Sequence, residues 1–207
     1  VAAICDRALR AAEDMTEEVY GRKIVPDRVV MGVSAPLVHS ATYTFRQRRY
    51  APQHRIESQE LEGVLHRAQR LALQRLQRES GLGEGELSLV NTSIVEINVD
   101  GHLVTDPIGF RGQVLSITIF NALAPSRALA TLKAIADELE LAPALLALES
   151  QALAGSLPAK EAIVLDIGGH VTTICLIRNG TLVALKVLPC GGYTFTEHLA
   201  CAFGLSS

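Results

Sequence analysis

The sequence predicts an α/β protein in which short strands alternate with amphipathic helices. Two segments carry apolar residues at helical spacing, residues 2–19 and the stretch from Ser58 to about Gly81. Short apolar or alternating runs, which are typical of strands, lie between and after them. The 207 residues are 48% hydrophobic and contain no Trp, which suits a packed protein rather than a disordered one. The length allows one large domain or two small ones.

The first elements are a helix and two strands. Residues 2–19 have apolar side chains at helical spacing with charges between them, and Gly21 follows as a stop. Residues 28–34 form an apolar run that ends in Gly32-Val33-Ser34, which predicts a strand whose small end packs tightly or approaches a ligand. Residues 38–45 alternate weakly and predict an extended strand or a crossover.

Residues 46–79 are rich in arginine and contain the longest predicted helix. Ser58 is a good N-cap, and Glu60 and Glu62 favour the positive end of the helix. The outer arginines are explained by a solvated surface, or by a docking face for an acidic partner or a neighbouring subunit. One apolar stripe at 3.6-residue spacing comprises Leu61, Val64, Leu65, Ala68, Leu71, Ala72 and Leu76.

A small antiparallel sheet is predicted after this helix. Residues 81–86 form a loop, residues 95–99 alternate as a half-buried strand, and Asp100-Gly101 turns the chain into a short strand at 102–105. Residues 115–119 alternate as the next strand. Together with the strand before the helix, residues 44–121 read strand, helix, strand, short strand, strand. A helix on one face of such a sheet is a self-contained two-layer unit.

The next segment is predicted to return to helices. Ala124-Pro125-Ser126 opens a helix with Leu129, Leu132, Ile135, Ala136 and Leu139 facing inward. Residues 145–149 suggest a short buried strand, and residues 151–155 a helix of small residues. Thr194 is expected to cap a final helix that runs to about Phe203.

Residues 163–192 are predicted to form three antiparallel strands with Asp166 near a tip. Asn179-Gly180 between two apolar runs is a strong hairpin signal, and Gly168-Gly169 is a tighter turn of the same kind. Glycine turns can aim successive amides at one point and admit a phosphate. Thr172 adds a hydroxyl donor, and Asp166 could hold Mg²⁺ through water. The alternative is a plain hairpin whose buried acid is satisfied by the amides of the turn.

Two motifs in this region resemble a known family. The run from Asp166 to Thr173, Asp-Ile-Gly-Gly-His-Val-Thr-Thr, resembles the second phosphate loop of the actin, Hsp70 and sugar-kinase superfamily. Leu-Pro-Cys-Gly-Gly at 188–192, followed by Phe-Thr at 195–196, resembles its continuation in FtsA-like bacterial cell-division proteins. His170 and Thr173 depart from the family pattern, which has a third glycine and an acid there, and this predicts weak nucleotide binding or none. The nucleotide site implied by the resemblance comprises Asp166, Gly168, Gly169, His170, Thr172, Gly191 and Gly192.

A third motif is more specific to the family. Asp-Pro-Ile-Gly at 106–109, with Gly112 after Phe110 and Arg111, resembles an FtsA segment. The unit at 44–121 resembles the SHS2 module inserted in that family's actin-like, ribonuclease H-like body. The resemblance therefore implies residues 1–43 as the end of the first actin-like subdomain, 44–121 as the SHS2 insert, 122–158 as the return to the first subdomain, and 159–207 as the start of the second.

The resemblance implies an actin-related protein that binds ATP and Mg²⁺ and is at most a weak ATPase. It would assemble into filaments through the inserted module, tether FtsZ, and lie at the inner face of the cell membrane at the division site. The family's membrane attachment is a C-terminal helix that is not in this sequence. Two alternatives are a PilM-like adaptor of a type IV pilus or secretion system, and a small-molecule kinase of the same superfamily.

Composition narrows the cellular setting. The net charge of −3 gives no bulk attraction to nucleic acid. The four cysteines have no zinc spacing, Cys175 and Cys190 are expected to be small buried hydrophobes, and this usage suits a reducing cytoplasm. His102 is expected to be exposed rather than to bind a metal. No signal peptide or apolar run of about 18 residues is visible, and the missing initiator Met predicts a piece of a longer protein.

Overall fold

The computed structural model describes residues 1–83 and 85–204, so part of the predicted loop at 81–86 lies outside the described residues. The helices are α1 (Ala2–Tyr20), α2 (Ser58–Ser80), α3 (Ser126–Glu138), α4 (Glu149–Ser156) and α5 (Gly192–Phe203), with a short 3-10 turn at Ala35–Leu37. The strands are β1 (Arg28–Val33), β2 (His39–Arg48), β3 (Leu87–Val99), β4 (His102–Val104), β5 (Val114–Pro125), β6 (Ala142–Leu148), β7 (Ala162–Ile167), β8 (Thr172–Arg178) and β9 (Thr181–Leu188). Within these ranges no helix is both long and apolar enough to span a membrane.

The strands form three separate sheets. β1 and β6 pair in parallel. β2, β5, β3 and β4 form an antiparallel sheet in that order, which we call the central sheet. β7, β8 and β9 form an antiparallel meander closed by the predicted turn at Asn179-Gly180, where both residues have positive φ. The meander carries the candidate phosphate loop at its β7–β8 end.

Helix α2 covers one face of the central sheet. Side chains of β5 alternate between the two faces, so Leu115, Ile117 and Ile119 all point toward α2 and are almost completely buried. Val64 and Ala68 of α2 pack against them. This apolar layer confirms the predicted helical stripe except at Leu71, which is 46% exposed.

The opposite face of the central sheet changes character along β5. Ser116 and Thr118 make its first part polar, whereas Phe120 and Ala122 make its second part apolar. The apolar part packs with residues of α4, β8 and β9, including Ala154, Cys175 and Leu182. Hydrogen bonds join the same surfaces, since Thr42 Oγ1 donates to the Val183 carbonyl at 2.5 Å and Ser93 Oγ donates to the Leu182 carbonyl at 3.2 Å. The central sheet therefore connects the α2 layer to the meander.

A buried arginine ties the loops at the far end of the central sheet to α2. The Arg49 side chain is 1% exposed, and its Nε and Nη2 each donate to the Glu60 carboxylate at 2.7 Å. Nη1 donates to the Gly112 carbonyl at 3.0 Å, and both terminal nitrogens donate to the His54 carbonyl at 3.2 Å. One side chain thus joins the end of β2, the first turn of α2 and the segment before β5. In the sequence, Arg49 is only one member of an arginine-rich segment, and no local pattern marks it as buried.

Three predicted details differ from the structure. The strand predicted at residues 145–149 is confirmed, since β6 covers Ala142–Leu148, but its predicted burial is wrong. Leu145 is 56% exposed because β6 belongs to a two-stranded sheet. Cys190 is exposed in the loop before α5. Ser58 is the first residue of α2, and the cap position belongs to Glu57.

The predicted element order in 44–121 is confirmed, but the strands run past its ends. The boundary at 44 falls inside β2 and the boundary at 121 falls inside β5. β3 also begins at Leu87, eight residues before the predicted start at 95. The assignment of this unit to the SHS2 family stays a prediction.

Replacing Arg49 by Met should lower the free energy of unfolding by about 3 kcal/mol, because it leaves a partly buried carboxylate and two carbonyls without their donor. Arg49→Lys should recover little, since one ammonium cannot reproduce the planar fork. Urea unfolding measures both. Arg10→Met removes an exposed pair with Asp6 and should leave stability almost unchanged. An equal effect of the Arg49 and Arg10 substitutions would contradict the assigned role.

The ion pair between Arg49 and Glu60 also predicts a loss of stability in acid. The hydrogen bonds from Arg49 lower the pKa of Glu60 below its ordinary value of 4.5. A lowered pKa means that the folded state favours the ionised carboxylate, so the stabilisation is present above pH 4.5 and is lost as the pH falls through the folded pKa. The free energy of unfolding should therefore differ between wild type and Glu60→Gln at pH 7, and this difference should shrink as the pH falls to 3. A pH-independent difference would contradict this linkage.

Candidate phosphate-binding cleft

The turn between β7 and β8 spans residues 168–171 and is closed by a hydrogen bond from the Gly168 amide to the Val171 carbonyl at 2.9 Å. Neither Gly168 nor Gly169 has a positive φ, and neither does His170. A histidine is therefore accommodated here without the backbone strain that a left-handed conformation would impose. The loop geometry does not require a third glycine.

The second glycine pair, Gly191-Gly192, contacts the backbone of this turn and supports it. The Gly192 amide donates to the Gly168 carbonyl and the Tyr193 amide to the Gly169 carbonyl, both at 2.8 Å. A Cβ on Gly191 would lie 2.5 Å from the Gly168 carbonyl oxygen and 2.6 Å from that of Gly169. The two backbones therefore touch, and the first amides of α5 are used inside the protein rather than offered to a ligand.

The donors available to a ligand are the amides of the turn itself, rather than those of α5. Within residues 1–83 and 85–204, the amides of Gly169, His170 and Val171 have no hydrogen-bond acceptor. Three successive free amides on an exposed turn can bind an anion. His170 stacks on Tyr193 with ring centroids 4.6 Å apart. The aromatic contact supports one side of the same turn.

A cleft of about 470 Å³ lies beside the turn. Register places Asp166 opposite Thr173 and Val164 opposite Cys175 across the β7–β8 pair. Because side chains alternate along a strand, Asp166, Thr173 and Cys175 share the face that lines the cleft. The lining comprises Ser34, Ala35, Pro36, Glu149, Ser150, Leu153, Asp166, Gly168, Val171, Thr173 and Cys175.

The predicted site residues fall into two groups. Asp166 and Gly168 line the cleft, and Asp166 is exposed, so the alternative of a buried acid satisfied by the turn is wrong. Thr172 lies on the other face of β8, where its hydroxyl donates to the Cys190 carbonyl at 2.8 Å. Thr173, its neighbour, is the threonine in the cleft. Outside the cleft lining, the turn is formed or braced by Gly169, His170, Gly191 and Gly192.

Glu149 is the cleft residue that the sequence analysis missed. It begins α4 directly after β6, and its Oε2 accepts a hydrogen bond from Ser34 Oγ at 2.8 Å. The sequence signal was present as an acid between an apolar run and a stretch of small residues. That it lines the same cleft as Asp166 follows from the packing of α4, which a one-dimensional pattern does not report.

The charged side chains in the cleft lining are both carboxylates, Glu149 and Asp166. Two carboxylates repel a bare polyphosphate but suit a hydrated Mg²⁺, which proteins commonly hold through one or two acids together with the phosphates of the ligand. The donor set therefore fits magnesium. At the floor, burial raises the pKa of the Cys175 thiol, so that thiol stays protonated and unreactive.

Comparisons with known proteins agree with this fold. No family model matches the chain, and no curated protein matches it. The chain is similar to a solved PilM-PilN type IV pilus biogenesis complex, with 20% identity, a TM-score of 0.52, and coverage of 97% of this chain and 53% of that one. The chain thus spans about half the length of that protein. At this identity the likeness establishes the fold alone, and it supports the predicted actin-like α/β class.

Other solved neighbours are weaker. Ethanolamine utilization protein EutJ from Carboxydothermus hydrogenoformans shares 30% identity, but over 35% of this chain and 27% of that chain, with a TM-score of 0.33. A Bacteroides thetaiotaomicron protein with an actin-like ATPase fold shares 7% identity over 86% of this chain and 56% of that chain, with a TM-score of 0.32. Neither likeness carries an argument about the site.

Gly191→Ala should lower the free energy of unfolding by about 1–3 kcal/mol, because the added methyl forces the two glycine backbones apart. Chemical denaturation measures this. Gly155→Ala is the matched control, since a Cβ at that helical position meets no atom within 4 Å and should leave stability equal or slightly higher. If Gly191→Ala is as stable as wild type, the close contact between the two turns is absent in solution.

Proposed function

We propose that this chain forms part of a nucleotide-binding, actin-like scaffold protein whose assembly is controlled by ATP and Mg²⁺. One juxtaposition carries the proposal: three free amides on the β7–β8 turn lie next to a cleft lined by Glu149 and Asp166. The amides would bind phosphate oxygens, and the two carboxylates would hold the water shell of Mg²⁺. The residues of the turn and cleft serve to bind and orient the nucleotide. Magnesium would supply the charge that the phosphates require.

The first candidate scaffold is the FtsA-like division protein, supported by the Asp106–Gly112 motif. That motif is an ordered turn: Asp106 Oδ1 accepts the Ile108 amide at 2.9 Å, and Gly109, with a φ of 86°, donates its amide to the Ile56 carbonyl at 2.9 Å. It fixes the entry to α2. In this role the protein would form filaments through the unit at 44–121, tether FtsZ, and lie at the inner face of the cell membrane through a C-terminal helix.

The second candidate is a PilM-like adaptor, and the likeness to the PilM-PilN complex favours it. The same actin-like body would then use the unit at 44–121 to hold the tail of a membrane protein of a pilus or secretion machine. The exposed outer face of α2 is available to a partner in either case. The superfamily's small-molecule kinases are a third class, which release of ADP with candidate sugars would reveal.

Asp166→Ala in the intact protein that carries this chain should weaken Mg²⁺-ATP binding by about 1–3 kcal/mol, because it removes a charged hydrogen-bonding partner of the hydrated ion. Isothermal titration of both proteins measures the loss. Asp137→Ala, which removes an exposed acid on α3 outside the cleft lining, should bind like wild type. Equal affinities of wild type and Asp166→Ala for Mg²⁺-ATP would show that the proposed site is wrong.

The two scaffolds differ in their partners. If the protein is a division scaffold, sedimentation of the intact protein should depend on nucleotide and on the presence of an FtsZ tail peptide. If it is a pilus adaptor, the cytoplasmic tail of a pilus membrane protein should bind instead, and the FtsZ peptide should not. Pelleting that needs neither nucleotide nor FtsZ peptide would count against the division role.

A further inference from the structure

The end of β1 is shaped around the side chain of Glu149. Residues 32 and 34 lie on the same side of the strand because side chains alternate along it. Ser34 Oγ donates to Glu149 Oε2 at 2.8 Å. At Gly32, a Cβ would stand 2.9 Å from Glu149 Cγ and 3.1 Å from Oε1. The glycine provides the space in which the side chain lies, and the serine fixes one of its oxygens.

The contact between Ser34 and Glu149 joins the end of β1 to the start of α4. β1 lies beside β6, and β6 leads directly into α4, whose first residue is Glu149. The register pairs Gly32 with Ala147 and Val33 with Leu148, so the end of β1 is level with the start of α4. A longer side chain at 32 would push Glu149 away from β1. An alanine at 34 would leave the carboxylate without its donor.

We propose that Gly32 and Ser34 are positioning residues that hold Glu149 in the cleft that Asp166 also lines. The proposal rests on the proposed function, because it assigns these residues to the Mg²⁺-nucleotide site. With Oε2 bound to Ser34, Oε1 makes no hydrogen bond to the described residues. That oxygen is available to accept a hydrogen bond from the water shell of the ion. Neither Gly32 nor Ser34 needs to touch the nucleotide.

The sequence run Gly32-Val33-Ser34 thereby acquires a function that explains both small residues. The sequence predicts that this run either packs tightly or approaches a ligand. The structure combines them: Gly32 packs tightly against Glu149, and Ser34, together with Glu149, lines the cleft. Val33 between them is 1% exposed and points into the protein. Small residues at 32 and 34 and a large apolar one at 33 are what this geometry demands.

The test measures ATP affinity of the intact protein by titration calorimetry, with Mg²⁺ and with EDTA. Loss of a residue that orients a metal's ligand typically lowers metal affinity about 10–100-fold. Ser34→Ala and Gly32→Ala should therefore reduce the Mg²⁺-dependent gain in ATP affinity about tenfold, while affinity in EDTA stays at the wild-type value. Ser34→Thr keeps the hydroxyl and should retain most of the gain. Gly155→Ala, in the same helix as Glu149, is the matched glycine control and should behave as wild type.

A double substitution separates positioning from general damage. In a Glu149→Ala background, Ser34→Ala should cause no further loss, because the two residues act through one contact. Thermal unfolding of each variant checks that it is folded, and Ser34→Thr supplies the decisive comparison if Gly32→Ala does not fold. A Mg²⁺ effect that survives Ser34→Ala but not Glu149→Ala overturns this inference and leaves the proposed function standing. If Asp166→Ala and Glu149→Ala also bind normally, the proposed function itself fails.

Discussion

The alternation of side chains along the long strands of the central sheet is the constraint on which the rest of the structure depends. On one face of β5, Leu115, Ile117 and Ile119 pack against α2. The residues between them therefore all lie on the other face. Those residues change from Ser116 and Thr118 to apolar side chains where α4 and the meander cover them. A slip of one residue would bury the hydroxyls under α2 and expose the core. One register therefore fixes two packing layers.

This shared sheet has a consequence for domain organisation. β2 and β5 run continuously from the α2 layer into the layer that supports the cleft, with no connecting loop at either predicted boundary of the 44–121 unit. Hydrogen bonds from Thr42 and Ser93 to the backbone of β9 reinforce the connection. The layer under α2 and the meander are thus joined by paired strands and by these two hydrogen bonds.

The cleft is assembled from elements that are far apart in the chain. Its carboxylates come from the start of α4 and from β7, and the supporting serine comes from the end of β1. The turn beside it is held by backbone contacts with the first residues of α5, which leaves its own amides free. An anion site built from backbone amides, with acids rather than lysines around it, needs a cation to complete it. Under the proposed function, nucleotide binding to this cleft would therefore depend on Mg²⁺.

The sequence by itself determined the local elements, because helix and strand periodicity and the Asn-Gly turn are short-range signals. It also brought Asp166 and Gly168 to one place, since a hairpin joins neighbours in the chain. It could not show that Thr173 rather than Thr172 faces the cleft, nor that Arg49 is buried. Tertiary structure decided those features and the position of Glu149. Which face of a strand is covered, and which distant acid lies opposite, depends on the element that packs against it, and local sequence does not encode that element.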